Sequence, residues 1–197
     1  MANVYISDTH LGHANIIKYC ERPFKGVWEM DRVIVSRLCE AEAEGHAIFH
    51  LGDVAMNLTR AVRFVGWLSH PERHTLIVGN HDAYPKDNAY DRAFGRIVGT
   101  KKSWRENVFL VEDELDGAPV KVLLSHDPQR DLRGADINLY GHHHNNIQRK
   151  PEHFPYEEWS WLLESTRHIN VSSELLDYRP RTLKELMEMR ASGAWLT

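Results

Sequence analysis

Five short runs of β-forming residues, each followed at once by polar residues, constrain the fold of this chain more than any other feature. The runs are four or five residues long, rich in Val, Ile, Leu or aromatic residues and bounded by Gly or Asp, as expected of buried strands. They cover residues 3–7, 47–51, 75–78, 120–124 and 137–140. Ligands in α/β folds bind beyond the carboxyl ends of strands, so we predict that the polar residues meet in one site.

Helical patterns separate the first three runs. Apolar residues recur at helical spacing over residues 27–41, as on one face of an amphipathic helix. Residues 59–68 form a shorter helical pattern. Near the end of the sequence, Thr182 and Glu185 form a capping box that opens a helix over residues 183–190, with Pro180 just outside it.

A hairpin is predicted in the second half, where strands over residues 107–112 and 119–124 flank a turn at Asp116-Gly117. Alternating strands and helices followed by a hairpin predict an α/β fold with mixed sheets. The length fits a single domain over residues 1–197, and the sequence shows no internal repeat or low-complexity linker.

Composition narrows the class of protein. The chain has 24 Lys and Arg against 28 Asp and Glu, a formal net charge of −4, which disfavours an extended nucleic-acid-binding surface. Its start resembles no signal peptide, its apolar runs are too short to span a membrane, and it has only two cysteines. We therefore predict a cytoplasmic protein without a membrane partner. The thirteen histidines are the one unusual count.

Each polar cluster is weak evidence of a function when taken alone. Asp8-Thr9-His10 places two side chains of the metal-ligating type on one face of an extended chain, but such triplets also occur in ordinary turns. All of the clusters lie at strand ends, and taken together in their order along the chain they predict a shared metal site. They are Asp8-x-His10, Gly52-Asp53, Gly79-Asn80-His81-Asp82, His126 and Gly141-His142-x-His144.

This ordered set resembles the five signature blocks of the calcineurin-like metallophosphoesterase superfamily, over residues 8–144. Residues 8–24 and 169–180 further resemble a small bacterial and phage branch of single-domain phosphoesterases. The resemblance implies an α/β fold of two packed mixed β-sheets flanked by helices, a four-layer αββα sandwich.

The resemblance also implies two divalent metal ions bridged by Asp53. One ion would be held by Asp8, His10, Asp53 and His144, and the other by Asp53, Asn80, His126 and His142. These imidazole, carboxylate and amide ligands suit Mn, Fe or Zn better than Ca, and we favour Mn²⁺, with Fe, Zn or Ni as alternatives. By the same resemblance a metal-bridging hydroxide attacks phosphorus, and His81, oriented by Asp82, protonates the leaving group.

Departures from better-known relatives narrow the implied substrate. The second block lacks the Arg found after Gly-Asp in phosphoprotein and dinucleoside polyphosphate hydrolases, and the third ends in Asp82 where protein phosphatases have Glu. We predict hydrolysis of small phosphodiesters, nucleotide-like or cyclic. Phosphomonoesterase activity at the same site is the alternative, and a non-catalytic scaffold is disfavoured because all seven ligand positions are filled.

Two further residues of the branch-like segment are candidates for substrate binding. His13 and Arg22 could both reach a substrate, Arg22 as a bidentate phosphate ligand. Capping of a turn before Pro23 is an equally good interpretation of Arg22.

The remaining assignments are structural. His50, inside a strand, is expected to be a hydrogen-bonded core histidine, and Asn170 and Tyr178 are expected to brace the site. The aromatic-rich segment 145–166 either stacks on a base or packs on the core or on a second subunit of a homo-oligomer, and we favour packing.

Overall fold

Two mixed β-sheets frame the fold in the computed structural model, which describes residues 1–56, 66, 68–86, 89–146, 159, 161, 162 and 164–193. The strands of the first sheet are β1 (Asn3–Ile6), β2 (Ala47–His50), β3 (His74–Ile77), β4 (Arg96–Val98) and β9 (Arg181–Thr182). Their order is β4-β3-β2-β1-β9. The first four strands are parallel, and β9 runs antiparallel to β1.

The second sheet contains four strands. They are β5 (Val108–Leu115), β6 (Ala118–Ser125), β7 (Ile137–Tyr140) and β8 (His168–Asn170), in that order. β5 and β6 form the predicted hairpin around Asp116 and Gly117, both of which have a left-handed backbone. β6, β7 and β8 are parallel, so three strands of this sheet also end at a common edge.

Helices connect and flank the strands. α1 (Ala14–Tyr19) and α2 (Val27–Ala43) follow β1, α3 (Ala89–Ala93) lies between β3 and β4, and α4 (Leu183–Ala191) follows β9. The apolar face predicted for α2 is buried over Met30, Ile34, Leu38 and Ala41. The capping box at Thr182 and Glu185 is confirmed. None of the described helices combines the length and the hydrophobicity needed to cross a bilayer.

Apolar side chains from both sheets form one large buried cluster. The rings of Phe49 on β2 and Phe109 on β5 lie 6.5 Å apart, and Tyr5 on β1 donates a hydrogen bond to Asp113 on β5 at 2.5 Å. The sheets therefore pack against each other, and the predicted α/β class with two mixed sheets flanked by helices is confirmed. The helix predicted over residues 59–68 falls largely outside the described residues.

His50 is a buried, hydrogen-bonded core histidine, as predicted. Its Nε2 lies 2.9 Å from Nδ1 of His74 on β3, and both rings are almost fully buried. Burial lowers the pKa of His74 from 6.5 to about 4, although Glu42 and Glu72 act to raise it. Burial and the neighbouring His74 likewise hold the pKa of His50 well below 6.5.

The lowered pKa of His74 predicts a loss of stability in mild acid. Below about pH 6.5 the unfolded chain protonates this ring, whereas the folded chain keeps it neutral until about pH 4, so unfolding becomes easier as the pH falls. One pKa unit corresponds to about 1.4 kcal/mol, which gives about 2 kcal/mol between about pH 6.5 and pH 5. Urea titrations of His74→Gln should show this pH dependence reduced, and those of the exposed control His70→Gln should not. Parallel curves for His74→Gln and wild type would contradict the assignment.

Candidate metal centre

The seven predicted metal ligands all come from loops that follow parallel strands. Asp8 and His10 follow β1, Asp53 follows β2 and Asn80 follows β3. His126 follows β6, and His142 and His144 follow β7. Because the carboxyl ends of these strands face a common region, the structure brings together residues that are distant in the sequence, such as Asp8 and His142, which lie 134 positions apart.

Asp8 has one anchored oxygen and one that faces the other ligands. Its Oδ2 accepts hydrogen bonds from the backbone N–H of His142 at 2.9 Å and from Ser172 Oγ at 3.0 Å. Its Oδ1 accepts no hydrogen bond from the residues that the structure describes, and it lies 3.8 Å from Nε2 of both His10 and His144. The carboxylate is therefore fixed in orientation with a lone pair left for a cation.

Asp53 repeats this arrangement. Its Oδ1 accepts a hydrogen bond from the backbone N–H of His81 at 2.8 Å. Its Oδ2 lies 3.6 Å from Nε2 of His10 and 3.5 Å from Nε2 of His126. One oxygen of Asp53 thus stands between two imidazoles of different loops, which is the position that a bridging ligand requires.

Asn80 lies between the rings of His126 and His142. Its Oδ1 lies 2.9 Å from Nε2 of His126 and 3.1 Å from Nδ1 of His142. The ligand atoms therefore form a line in which each atom lies 2.9 to 3.8 Å from the next residue of the line. Its order is His144, Asp8, His10, Asp53, His126, Asn80 and His142. The two ends of this line contain the two ligand sets that the resemblance implies, with Asp53 between them.

Backbone strain is concentrated at the same residues. Five of the seven have a left-handed backbone, with φ of 56° at Asp8, 49° at His10, 54° at Asp53, 68° at His142 and 52° at His144. This conformation costs about 1–3 kcal/mol for a residue other than glycine and clusters at functional sites. The surrounding fold therefore imposes the direction of these side chains.

The donor atoms fit divalent cations. Asp8 Oδ1 and both ring nitrogens of His10 are buried without a hydrogen-bond partner among the described residues. Buried polar atoms are nearly always bonded, so such a group needs an explanation, and a bound ion supplies one. The atoms offered by Asp8, His10 and His144 lie within 4.8 Å of one another, and so do those of Asp8, Asp53 and His126.

The electrostatics also suit a cation. Burial acts to raise the pKa of Asp8, but His144 and His126 hold it below its usual value. The pKa of Asp53 is lowered despite burial, by His126 and His10. Burial lowers the pKa of His10 to about 3, so its ring is neutral and able to coordinate. Although burial opposes it, Asp53 raises the pKa of His126 to about 10, and Asp8 helps to hold that of His144 well above 6.5. A cation that binds these two rings would therefore take the place of their protons.

Hydrogen bonds behind the ligands orient two of the rings. His126 Nδ1 lies 2.7 Å from the carbonyl oxygen of Leu51, and His144 Nδ1 lies 2.8 Å from Oε1 of Glu174. Each contact assigns the proton to Nδ1 and leaves Nε2 for the site. Glu174, on the 3₁₀ helix Ser173–Leu176, was not identified in the sequence. The sulfur of Cys20 also lies within 4.8 Å of the potential ligand atoms of His144 and Glu174.

Arg22 lies in a different place from the one expected. It is 4% exposed, and its Nη2 donates to the carbonyl oxygen of Asp8 at 2.6 Å and to Glu174 Oε2 at 2.8 Å. Its Nη1 donates to the carbonyl oxygen of Thr9 at 3.0 Å. The guanidinium is therefore used inside the protein, beneath the Asp8 loop, rather than as a phosphate ligand or as a cap before Pro23.

Asp82 also differs from the expectation that it orients His81. Its Oδ2 accepts hydrogen bonds from the backbone N–H groups of Asp53 at 2.9 Å and Gly79 at 2.8 Å, and its Oδ1 accepts one from Val54 N–H at 2.9 Å. Asp82 is fully buried and holds the Asp53 loop against the loop after β3. Its position supports a structural role rather than contact with the reacting groups.

His81 and His13 lie at the opening of the site. His81 is exposed, and its ring centre is 5.4 Å from that of His10. His13 is half-buried, with its ring centre 5.5 Å from that of His10. Both imidazoles are therefore placed where a substrate on the metal ligands would meet them.

Trp104 borders the opposite end of the site and was not identified in the sequence. Its ring centre lies 4.7 Å from that of His142 and 5.7 Å from that of His126. The guanidinium carbon of Arg105 lies 4.8 Å from the Trp104 ring centre. Trp104 and Arg105 follow Lys101 and Lys102 closely in the sequence, and this short basic stretch is a signal that could have drawn attention to them.

The described part of the segment 145–166 packs against the protein. Trp159 lies 4.5 Å from the ring of His143, Trp161 lies 4.8 Å from that of His168, and both tryptophans contact the buried pair Tyr140 and Leu162. This favours the packing interpretation for these two side chains. Phe154 and Tyr156 lie outside the described residues. Asn170 braces the site as expected, because its Nδ2 donates to the carbonyl oxygen of His144 at 2.8 Å.

Gly141 allows the closest backbone approach in the site, and its replacement gives a sharp prediction. A Cβ there would overlap Ser7 Oγ and Asp8 Oδ2. We expect Gly141→Ala to destabilise the metal-free protein by about 1–3 kcal/mol, because a rigid neighbour must move. Since Asp8 would be displaced, metal affinity should fall as well.

The matched control is Gly26→Ala, where a Cβ would meet nothing within 4 Å. Urea unfolding and Mn²⁺ titration of the two variants separate the effects. If Gly141→Ala and Gly26→Ala had equal unfolding free energies and equal Mn²⁺ affinities, the tight contact at Gly141 would be unimportant for both stability and metal binding.

Comparisons with known proteins identify relatives and a shared fold. No protein-family model matches the chain. The chain is 27% identical over 197 residues to the uncharacterized protein MJ1445 of Methanocaldococcus jannaschii, covering 98% of this chain and 94% of that protein. The crystal structure of a protein of unknown function from Aquifex aeolicus, AQ665, superposes with a TM-score of 0.64 at 23% identity, covering 95% of this chain and 98% of that one, which shows the fold.

A phage protein shares a higher percentage of identical residues with the chain, over a shorter alignment. The gene 66 protein of Mycobacterium phage D29 is 31% identical over 167 residues, covering 76% of this chain and 82% of that protein. With this identity over most of both proteins, the chain belongs to the same protein family as the gene 66 protein of Mycobacterium phage D29.

Proposed function

We propose that the protein is a two-metal phosphoesterase of the calcineurin-like type that hydrolyses small phosphodiesters, nucleotide-like or cyclic. The observation that carries the proposal is the unbroken line of seven ligand side chains, in which each buried carboxylate has one anchored oxygen and one facing the other ligands. Such a site polarises phosphoryl oxygens and activates water when two divalent cations are bound.

Each end of the site would hold one ion. Asp8, His10 and His144 with Asp53 form one end, and Asn80, His126 and His142 with Asp53 form the other. This set of imidazole nitrogens and oxygens favours Mn²⁺, with Fe, Zn or Ni as alternatives. The exposed His81 ring would donate a proton to the leaving oxygen on the His10 side.

The position of Arg22 supports a diester rather than a monoester as substrate. A phosphomonoester carries up to two negative charges and is often bound by a bidentate Arg. The guanidinium of Arg22 is already bonded to Asp8, Thr9 and Glu174. A diester has one charge and an additional organic group, for which the half-buried Trp104 beside His142 provides an aromatic surface.

Metal analysis combined with two model substrates tests the proposal. The purified protein should contain or take up two Mn²⁺ per chain and hydrolyse bis-p-nitrophenyl phosphate faster than p-nitrophenyl phosphate. Cyclic 2′,3′- and 3′,5′-nucleotides in the same assay identify the preferred diester. A strong preference for the monoester would favour the phosphomonoesterase, and the absence of both metal uptake and hydrolysis would favour a scaffold.

A cytoplasmic location belongs to the same proposal. It is supported by Cys20 and Cys39, which form no disulfide in the part of the chain that the structure describes, as expected for a reducing compartment.

A further inference from the structure

We infer that Glu174 and Arg22 are a positioning pair that fixes His144 and the Asp8 loop for the ion at their end of the site. This inference rests on the proposed metal centre and assigns a role to two residues outside the ligand set. Neither side chain reaches the opening, since the side chain of Arg22 is fully buried and that of Glu174 is only 3% exposed. The two side chains therefore act on the metal site through the residues that they contact.

Glu174 determines which nitrogen of His144 faces the site. Its Oε1 lies 2.8 Å from Nδ1 of His144, so the ring proton is held on Nδ1. Nε2 is then the nitrogen that faces Asp8 Oδ1, at 3.8 Å. A carboxylate behind a ligating histidine fixes the ring and increases its basicity.

Arg22 compensates the charge of Glu174 and links it to the second ligand loop. The same Nη2 that pairs with Glu174 Oε2 at 2.8 Å also donates to the carbonyl oxygen of Asp8 at 2.6 Å. Ser173, the neighbour of Glu174, donates from its Oγ to that carbonyl oxygen at 2.9 Å. The pair thus joins the loop after β7, which carries His144, to the loop after β1, which carries Asp8.

His126 shows that this arrangement is specific to one end of the site. Its Nδ1 lies 2.7 Å from the backbone carbonyl oxygen of Leu51, with no charged partner behind the ring among the described residues. A change at Glu174 should therefore affect the Asp8, His10 and His144 end and leave the His126 and His142 end unaltered.

Glu174→Gln is the decisive variant. A glutamine has one acceptor and one donor end, so either His144 Nδ1–H or the Arg22 guanidinium loses its acceptor. In Mn²⁺ titrations of the metal-free full chain, with free Mn²⁺ measured by electron paramagnetic resonance, we expect one of two sites to weaken about 10- to 100-fold. The other site should keep its wild-type affinity.

The matched control is Glu40→Gln, which removes a charge from the exposed pair with Arg179 at 2.7 Å. It should bind both ions as wild type does. Two unchanged sites in Glu174→Gln, or equal weakening of both, would overturn the inference. A wild-type chain that binds no Mn²⁺ would instead overturn the proposed metal centre itself.

A second measurement does not depend on the folding of Glu174→Gln. In the Co²⁺-loaded wild-type protein, proton NMR should show slowly exchanging, paramagnetically shifted Nδ1–H signals from both His126 and His144. Arg22→Lys keeps the positive charge but loses the forked geometry, so it should weaken the same single Mn²⁺ site and speed exchange of the His144 proton only. Rapid exchange of that proton in the wild type would contradict the role of Glu174.

Discussion

Replacing Asp53 with Asn is expected to abolish binding of both metal ions and to slow phosphodiester hydrolysis on the order of 10³-fold. Asp53 Oδ1 accepts the backbone N–H of His81, while Oδ2 faces His10 and His126. An Asn that keeps the bond from His81 turns its NH₂ group toward both imidazoles and supplies no negative charge. The loss of several kcal/mol of charge stabilisation corresponds to a rate effect of this size.

Metal content and rate should be measured on the same preparation of Asp53→Asn. The matched control is Asp116→Asn, which removes a carboxylate from the exposed pair with Lys184 at 3.0 Å. It should contain two ions and keep wild-type activity. An Asp53→Asn protein that still binds two ions with wild-type affinity would refute the bridging assignment.

His81→Ala should keep both metal ions and lose most activity on substrates with poor leaving groups. The backbone N–H of His81, which anchors Asp53, survives this substitution, whereas the exposed ring near His10 is removed. General-acid catalysis contributes about 10²- to 10⁴-fold, and it matters most when the leaving alkoxide is basic. Hydrolysis of a cyclic nucleotide should therefore fall by this factor, and release of p-nitrophenolate should fall far less.

The ratio of the two rates separates proton donation from general damage. His70→Ala, which removes an exposed ring 3.0 Å from Glu72, serves as the control and should leave both rates unchanged. An equal loss on both substrates in His81→Ala, or no loss on the cyclic nucleotide, would exclude His81 as the proton donor.

The sequence was sufficient to predict the elements that carry the site. The runs that became β1, β2, β3, β6 and β7 are visible because each is an apolar segment that ends in Gly or a polar residue. The strands β4, β8 and β9 span only two or three residues, too few to show a periodic pattern. Their place in the sheets depends on pairing with distant strands, which no local pattern records.

The candidate ligands could also be identified locally, because each follows a strand directly and the ends of parallel strands meet. Their supporting residues could not. Arg22 and Asp82 lie within the motifs and resemble residues that contact substrate, but in the fold their polar groups are bonded inside the protein. Whether a charged side chain is available to a substrate depends on its burial and on its hydrogen-bond partners. Neither can be predicted from the residues that adjoin it in the sequence.

The sequence by itself determined the class of fold and the positions of seven candidate metal ligands. Only the tertiary structure assigned Glu174 to His144 and Trp104 to the far end of the site, since Glu174 meets Arg22 across 152 positions of sequence. Ligand type is a property of single residues and their immediate neighbours. Orientation, tautomer and charge compensation arise from contacts between distant loops, and these exist only after the two sheets have packed.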